Sequence, residues 1–204
     1  MNVLFLGNVD NPVAKWLHEK GNHVVSTERP ITIDMITFLK PDIIVSYGYR
    51  YIIPLDIVEA RPHGIINLHI SFLPYNRGAD PNLWSWVENT PKGVTIHYID
   101  EWIDTGDIIV QKRLFFDPEK ETLRSSYHKL HDAMVHLFIA NWKYIEDGSC
   151  GYAPQQKEGT FHLKKDMEAY KPYLSDGWDT PCSFLTRVGE DAAVNAGQAE
   201  AFFA

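Results

Sequence analysis

Residues 3–25, VLFLGNVDNPVAKWLHEKGNHVV, decide how this chain folds. Val3-Leu4-Phe5-Leu6 is a short apolar run ending on Gly7, and it reads as a buried strand. Asn11-Pro12 opens a helical stretch with Val13, Trp16 and Leu17 at i, i+3 and i+4, and Lys20-Gly21-Asn22 is a helix stop. His23-Val24-Val25-Ser26 supplies a second strand. Strand, helix and strand in so short a span make the βαβ unit of a parallel sheet.

The alternation continues outward. Thr32 to Leu39 is helical in spacing, and Lys40-Pro41-Asp42 ends it. Ile43-Ile44-Val45 is a third strand with Gly48 just past it, Leu55 to Glu59 a short helical turn, and Gly64 to His69 a fourth strand. The pattern then changes. Pro81 to Glu88 reads as a helix. The runs Val94–Ile99 and Ile108–Phe115 alternate, as partly exposed strands antiparallel to their neighbours would. Glu121 to Ile145 is the longest helical stretch, and Gly148 ends it. After Gly151 the chain loosens at Pro154, Pro172 and Pro181 with no long period, and the last dozen residues are small and polar apart from Phe202 and Phe203. The expectation is an α/β, Rossmann-like, mostly parallel sheet with helices on both faces over residues 1–150. Residues 151–204 form a short C-terminal extension for packing or for pairing in a homodimer.

Composition narrows the function. The chain has 204 residues, long enough to bury roughly 70% of its unfolded surface without a disulfide or metal staple. Its net charge of −8 argues against a nucleic-acid partner, because phosphate backbones select cationic surfaces. Two cysteines make no disulfide framework, and the start lacks a basic n-region and a long apolar run. A cytoplasmic protein with no membrane partner is expected.

In open α/β sheets ligands bind beyond the carboxyl ends of the strands. Asn67 and His69, two apart on an extended segment, point to one side there. Asp104, in Ile103-Asp104-Thr105-Gly106-Asp107, lies on a turn between the two late strands, from which a carboxylate can reach the same crevice. Amide, imidazole and carboxylate suit acyl transfer: the amide donates to an oxyanion, the imidazole moves or polarises protons, and the carboxylate holds its charge. No GxSxG run or reactive-cysteine context offers a nucleophile, so an amine on the substrate fits better. The bland alternative is that Asn67 turns the chain and that His69 and Asp104 are surface groups. His128 and His131 are spaced as metal ligands on a helix, but no familiar ligand set completes them, and a solvated face is the expectation, with no metal.

Two longer strings go further. Asn67-Leu68-His69-Ile70-Ser71-Phe72-Leu73-Pro74-Tyr75-Asn76-Arg77-Gly78 and Asp100-Glu101-Trp102-Ile103-Asp104-Thr105-Gly106-Asp107-Ile108-Ile109 resemble the signatures of the folate-dependent formyltransferases. The resemblance covers about residues 1–150. It implies the formyltransferase fold, a one-carbon transfer from N10-formyltetrahydrofolate as cosubstrate, and Asn67, His69 and Asp104 as catalytic residues. It also implies a folate site drawn from Arg50, Tyr51, Ile52, Ile53, Asn67, Asp100 and Asp104. A neutral substrate amine would attack the formyl carbon, Asn67 and His69 would stabilise the oxyanion, and Asp104 would stabilise the charged imidazole.

The branches of that family differ in the amine. Glycinamide ribonucleotide enzymes carry a glycine-rich phosphate loop after the first strand. Gly7-Asn8-Val9-Asp10-Asn11-Pro12 has one glycine, an acid and a proline that removes a donor. Methionyl-tRNA enzymes need a further domain for a polyanion, which an acidic chain of this length does not favour. The run Tyr75 to Ser85 looks most like nucleotide-amino-sugar N-formyltransferases, acting on amino-dideoxysugars linked to dTDP or a similar nucleotide. Tyr75, Asn76, Arg77, Asp80 and Asn82 are then the expected substrate contacts, with Arg77 on the diphosphate or, alternatively, tying the loop. A formyltetrahydrofolate hydrolase and a non-catalytic binding module are the remaining alternatives.

Overall fold

The computed structural model describes residues 1–155 and 158–202, with the side chains of 195–202 left out. Phe203, half of the expected apolar pair at the C-terminus, lies outside the described residues. The chain divides into two compact units. The first comprises Met1–His69, Thr95–Lys112 and Ala133–Gln156, the second Ile70–Val94, Arg113–Asp132 and Lys157–Ala204.

A six-stranded sheet carries the first unit. Its strands are β1 (Asn2–Leu6), β2 (His23–Thr27), β3 (Ile43–Ser46), β4 (Ile65–His69), then β6 (Lys92–Tyr98) and β7 (Ile108–Leu114), in the order β2-β1-β3-β4-β6-β7. The first four pair in parallel, and β4 pairs antiparallel with β6, as the change of pattern predicts. Alternate residues of a strand face opposite sides. Leu4, Leu6, Ile44 and Ile65 cluster with Ile36 of α2 (Ile33–Leu39) and Ile57 of α3 (Leu55–Ala60). Val3 and Phe5, facing the other way, are equally buried. Further buried side chains of this unit come from α1 (Pro12–Glu19) and the later half of α5 (Leu123–Glu146), which meet edge-to-face through Trp16 and Phe138. Each such fully buried side chain stabilises the fold by about 1.5–3 kcal/mol. Asn11 caps α1 by accepting from the Val13 amide, and Pro12 fills the position where its missing N–H costs nothing.

The second unit is built on α4 (Pro81–Val87), the first half of α5 and a helix that the sequence reading did not contain, α6 (Cys182–Phe202). Leu83, Trp84, Trp86, Val87, Leu123, Cys182 and Leu185 form its core. Gly189 explains how α6 approaches α4: a Cβ there would stand 1.7 Å from the Val87 carbonyl oxygen. Among the described side chains of α6, Cys182, Ser183 and Leu185 are buried and Gly189 is partly buried, so this stretch lacks the large apolar repeat by which a helix is recognised. A two-stranded parallel pair, β5 (Arg77–Gly78) with β8 (Phe161–His162), ties the signature loop to the C-terminal segment. Between β8 and α6 lies a ten-residue 3₁₀ stretch, Lys164–Tyr173.

Candidate active site

Asn67 and His69 lie on the last turn of the pleat of β4, at its carboxyl end. The antiparallel register sets His97 of β6 directly beside Asn67. A directly opposed pair projects to one face, so Asn67, His97 and, two residues on, His69 share a side of the sheet. The loop after β6 adds Asp104. It is closed by the Tyr98 amide donating to the Asp107 carbonyl at 2.9 Å, and braced by Asp100, which accepts from the Thr105 hydroxyl at 2.7 Å and the Trp102 amide at 3.2 Å.

Three nitrogens converge on the Asp104 carboxylate. Asn67 Nδ2 donates to Oδ1 at 3.0 Å, His97 Nε2 stands 3.4 Å from Oδ1, and His69 Nδ1 stands 3.6 Å from Oδ2. The side chains of His69, His97 and Asp104 are 8%, 1% and 11% exposed. A carboxylate so far withdrawn from water needs hydrogen-bond donors, and the Asn67 amide is one. The His69–Asp104 separation is that of an ion pair, and such contacts commonly tighten when substrate binds.

His97 was missed by the sequence reading, which placed it only as part of an alternating strand. Its Nδ1 is 2.7 Å from the Tyr98 carbonyl oxygen, so Nδ1 carries a hydrogen and donates it there. Nε2 then has two uses. In the neutral ring its lone pair accepts from Asn67 Nδ2, 3.3 Å away; in the charged ring Nε2–H donates to Asp104. One signal was available: a histidine inside an otherwise apolar alternation, Val94-Thr95-Ile96-His97, on a strand expected beside β4.

The other expected site residues fall in different settings. Tyr51 and Ile52 are exposed, Ile52 to 80%, as are Trp102 and Ile103 on the Asp104 loop, so each segment offers apolar surface to a flat ligand. Arg50 is exposed. Ile53 instead belongs to the sheet core, packed with Ile57 and Ile65. Asp100 braces its own loop. In the second unit, Tyr75 and Arg77 are half-buried, and Asp80 is exposed at the start of α4 with no side-chain capping bond. Asn76 and Asn82 are buried and bonded within the second unit, and Asn82 also lines a cavity there. Asn76 is fully buried, donating to Glu88 at 3.2 Å and accepting from Thr90 at 2.8 Å. Asn82 donates to the Leu123 carbonyl at 2.9 Å and accepts from Ser126 at 3.0 Å. Their amides hold the loop and α4 in place.

Asp80 also lines a cavity of about 270 Å³ within the second unit, with Leu83, Tyr127, Leu174 and Trp178 among its walls. The solvated helix face expected for the α5 histidines holds for His128 but not for His131. His131 packs against Tyr127 at 4.1 Å, and burial, with help from the neighbouring His128 charge, pushes it down to about 4. Among the described residues no group of three His, Cys, Asp or Glu is placed to hold a metal, and no helix is long and apolar enough to cross a membrane.

The chain is similar to known proteins. The family model described as formyl transferase matches residues 7–141. The formyltransferase PseJ from Anoxybacillus kamchatkensis, solved with UDP-4,6-dideoxy-4-formamido-L-AltNAc and tetrahydrofolate, is 44% identical with a TM-score of 0.87, over 91% of this chain and 98% of that one. An N-formyltransferase from Helicobacter canadensis, solved with folinic acid and dTDP-3-aminofucose, has a TM-score of 0.68 over 80% of this chain and 70% of that one; at 21% identity it shows the fold alone. Methionyl-tRNA formyltransferase of Bacillus thuringiensis is 31% identical over 160 residues, 74% of this chain and 51% of the relative. The chain thus spans about half the length of the curated relatives it matches. With residues 7–141 matched and the paired motifs assembled on one sheet edge, the chain belongs to the formyl transferase family.

Proposed function

We propose that this protein is an N-formyltransferase that moves the formyl group of N10-formyltetrahydrofolate to the amine of a nucleotide-linked amino sugar. The observation that carries the proposal is the convergence of Asn67, His69 and His97 on Asp104, in a chain 44% identical to an enzyme solved with a UDP-linked formamido sugar and tetrahydrofolate. That complex supports UDP as the nucleotide ahead of dTDP.

The neutral amine attacks the formyl carbon, and the N10–carbon bond breaks after the tetrahedral intermediate. One proton must pass from the amine to N10. With Nδ1 of His69 turned to Asp104, Nε2 is the nitrogen that meets the developing oxyanion, and Asp104 stabilises the ring when it is charged. Asn67 donates to Asp104 and reaches His97 before substrate arrives. Its amide serves the oxyanion by exchanging the His97 contact for the new one while keeping its bond to Asp104. Tyr51, Ile52, Trp102 and Ile103 supply apolar walls for the pterin, with Arg50 beside them. Arg77 pairs with the diphosphate, and Tyr75 and Asp80 contact the sugar.

The test is a panel of amines presented with N10-formyltetrahydrofolate: UDP-linked and dTDP-linked amino sugars, glycinamide ribonucleotide and methionyl-tRNA. Formylation of a nucleotide-linked amino sugar at a kcat/KM well above the others is expected. Preference for glycinamide ribonucleotide or tRNA, or tetrahydrofolate release that needs no amine, refutes the proposal.

A further inference from the structure

We infer that Gln155 is a positioning residue for the reaction, acting through the loop that carries Asp104. The inference rests on the formyl-transfer reading for its effect on turnover, but its structural arm does not.

Gln155 Nε2 donates to the Asp104 carbonyl at 2.9 Å and to the Gly106 carbonyl at 2.8 Å. Both hydrogens of one amide are thus engaged by two carbonyls, two residues apart, in a loop about fifty positions earlier in the chain. The residue is itself anchored. Ala153, two before it, exchanges both backbone hydrogen bonds with Ile108, at 2.8 and 2.9 Å. Pro154 lies between the two and limits the freedom of that link.

The loop needs such a tie. Asp104 has φ 55, a left-handed conformation that a residue with a side chain adopts only at a cost. Gly106 passes so near Tyr98 that a Cβ would stand 2.0 Å from its carbonyl oxygen. The loop's internal bonds fix its neck at Tyr98–Asp107 and its first turn at Asp100. Gln155 fixes the stretch between, the part from which the Asp104 carboxylate reaches Asn67, His97 and His69. Through these two carbonyls Gln155 acts on the placement of a carboxylate whose distances to three nitrogens lie between 3.0 and 3.6 Å.

The experiment compares Q155M, which keeps the length and removes both donors, with Q155K, which restores N–H donors. Q155N, an amide on a stem one methylene shorter, replaces Q155M if the latter does not fold. Hydrogen exchange of the amides between 99 and 107 is expected to speed up roughly tenfold or more in Q155M and to return toward wild type in Q155K. Turnover is expected to fall by on the order of 10²-fold in kcat with KM for both substrates little changed, as misplacement of a catalytic group produces. In a D104N background the same substitution is expected to change kcat less than about twofold, because residues acting as one unit are not additive. Unchanged loop exchange in Q155M overturns the inference whether or not the chain transfers formyl groups. An equal loss of kcat in the wild-type and D104N backgrounds overturns it too. A wild-type chain with no transfer activity refutes the functional reading alone, and the exchange measurement then decides the inference.

Discussion

Asp104 Oδ2 stands 3.6 Å from Nδ1 of His69, the carboxylate coming from a loop and the imidazole from the end of a strand. The pair fixes which nitrogen of His69 is left to work. It predicts that D104N, which keeps shape and removes charge, lowers kcat by about 10²–10⁴ while leaving KM for folate and amine nearly unchanged. Steady-state kinetics with both substrates varied check this. A loss confined to KM would place Asp104 in binding rather than chemistry.

His97 is nearly as buried as any core residue and faces the same carboxylate. H97F removes the hydrogen bond to Tyr98 and the alternative partner of Asn67 while filling the space. A fall in kcat of roughly 10–100-fold is expected, smaller than that of H69N, because His97 holds Asn67 and Asp104 without meeting the formyl group.

Arg77 lies on the short parallel pair with Phe161. If its guanidinium pairs with the diphosphate, R77K keeps the charge and loses the planar fork. KM for the nucleotide sugar is expected to rise roughly tenfold or more, consistent with one lost charged hydrogen bond, with folate KM unchanged. Equal effects on both substrates would mean that Arg77 ties the loop.

His131 gives a stability prediction. Burial pushes its imidazole down from the ordinary 6.5 to about 4 in the folded chain. The unfolded chain therefore binds the proton more readily, and stability falls as pH drops from about 6.5 towards 4 and is fully present above 6.5. The contribution is on the order of 1–3 kcal/mol. H131F is expected to flatten that part of the pH dependence in urea unfolding, relative to wild type.

Gly189 tests the seating of the last helix. G189A puts a Cβ against the Val87 carbonyl, so α6 must move away from α4. A loss of about 1–3 kcal/mol in unfolding free energy is expected. No loss would mean that α6 does not dock on α4 as described.

The parallel sheet was legible because strands such as Val3–Leu6 and Ile43–Val45 are buried on both faces and read as continuous apolar runs between helices. Asn67 and His69 were legible for a related reason: a strand of period two carries them to one side, beyond its carboxyl end. The helix α6 was not, because a face of cysteine, leucine and glycine packs by closeness rather than by bulk. The structural role of Asn76 and Asn82 was hidden because a polar residue in a loop beside a site reads first as a ligand contact. The structure shows each satisfying backbone and side-chain partners that are distant in sequence, such as Leu123 for Asn82. His97 and Gln155 escaped for the same reason, since their partners are defined by strand register and by a loop closing over a later segment.

The central claim is that formyl passes directly from folate to a sugar amine through the Asn67, His69 and Asp104 cluster. The most direct measurement is stoichiometric. The purified chain is mixed with N10-formyltetrahydrofolate and a UDP-linked 4-amino-4,6-dideoxy sugar, and tetrahydrofolate and formamido sugar are quantified in the same samples, with H69N alongside. The account predicts one formamido sugar per tetrahydrofolate released, with both products falling together in H69N. Tetrahydrofolate appearing with free formate in place of the formamido sugar, or an H69N chain as active as wild type, would contradict it.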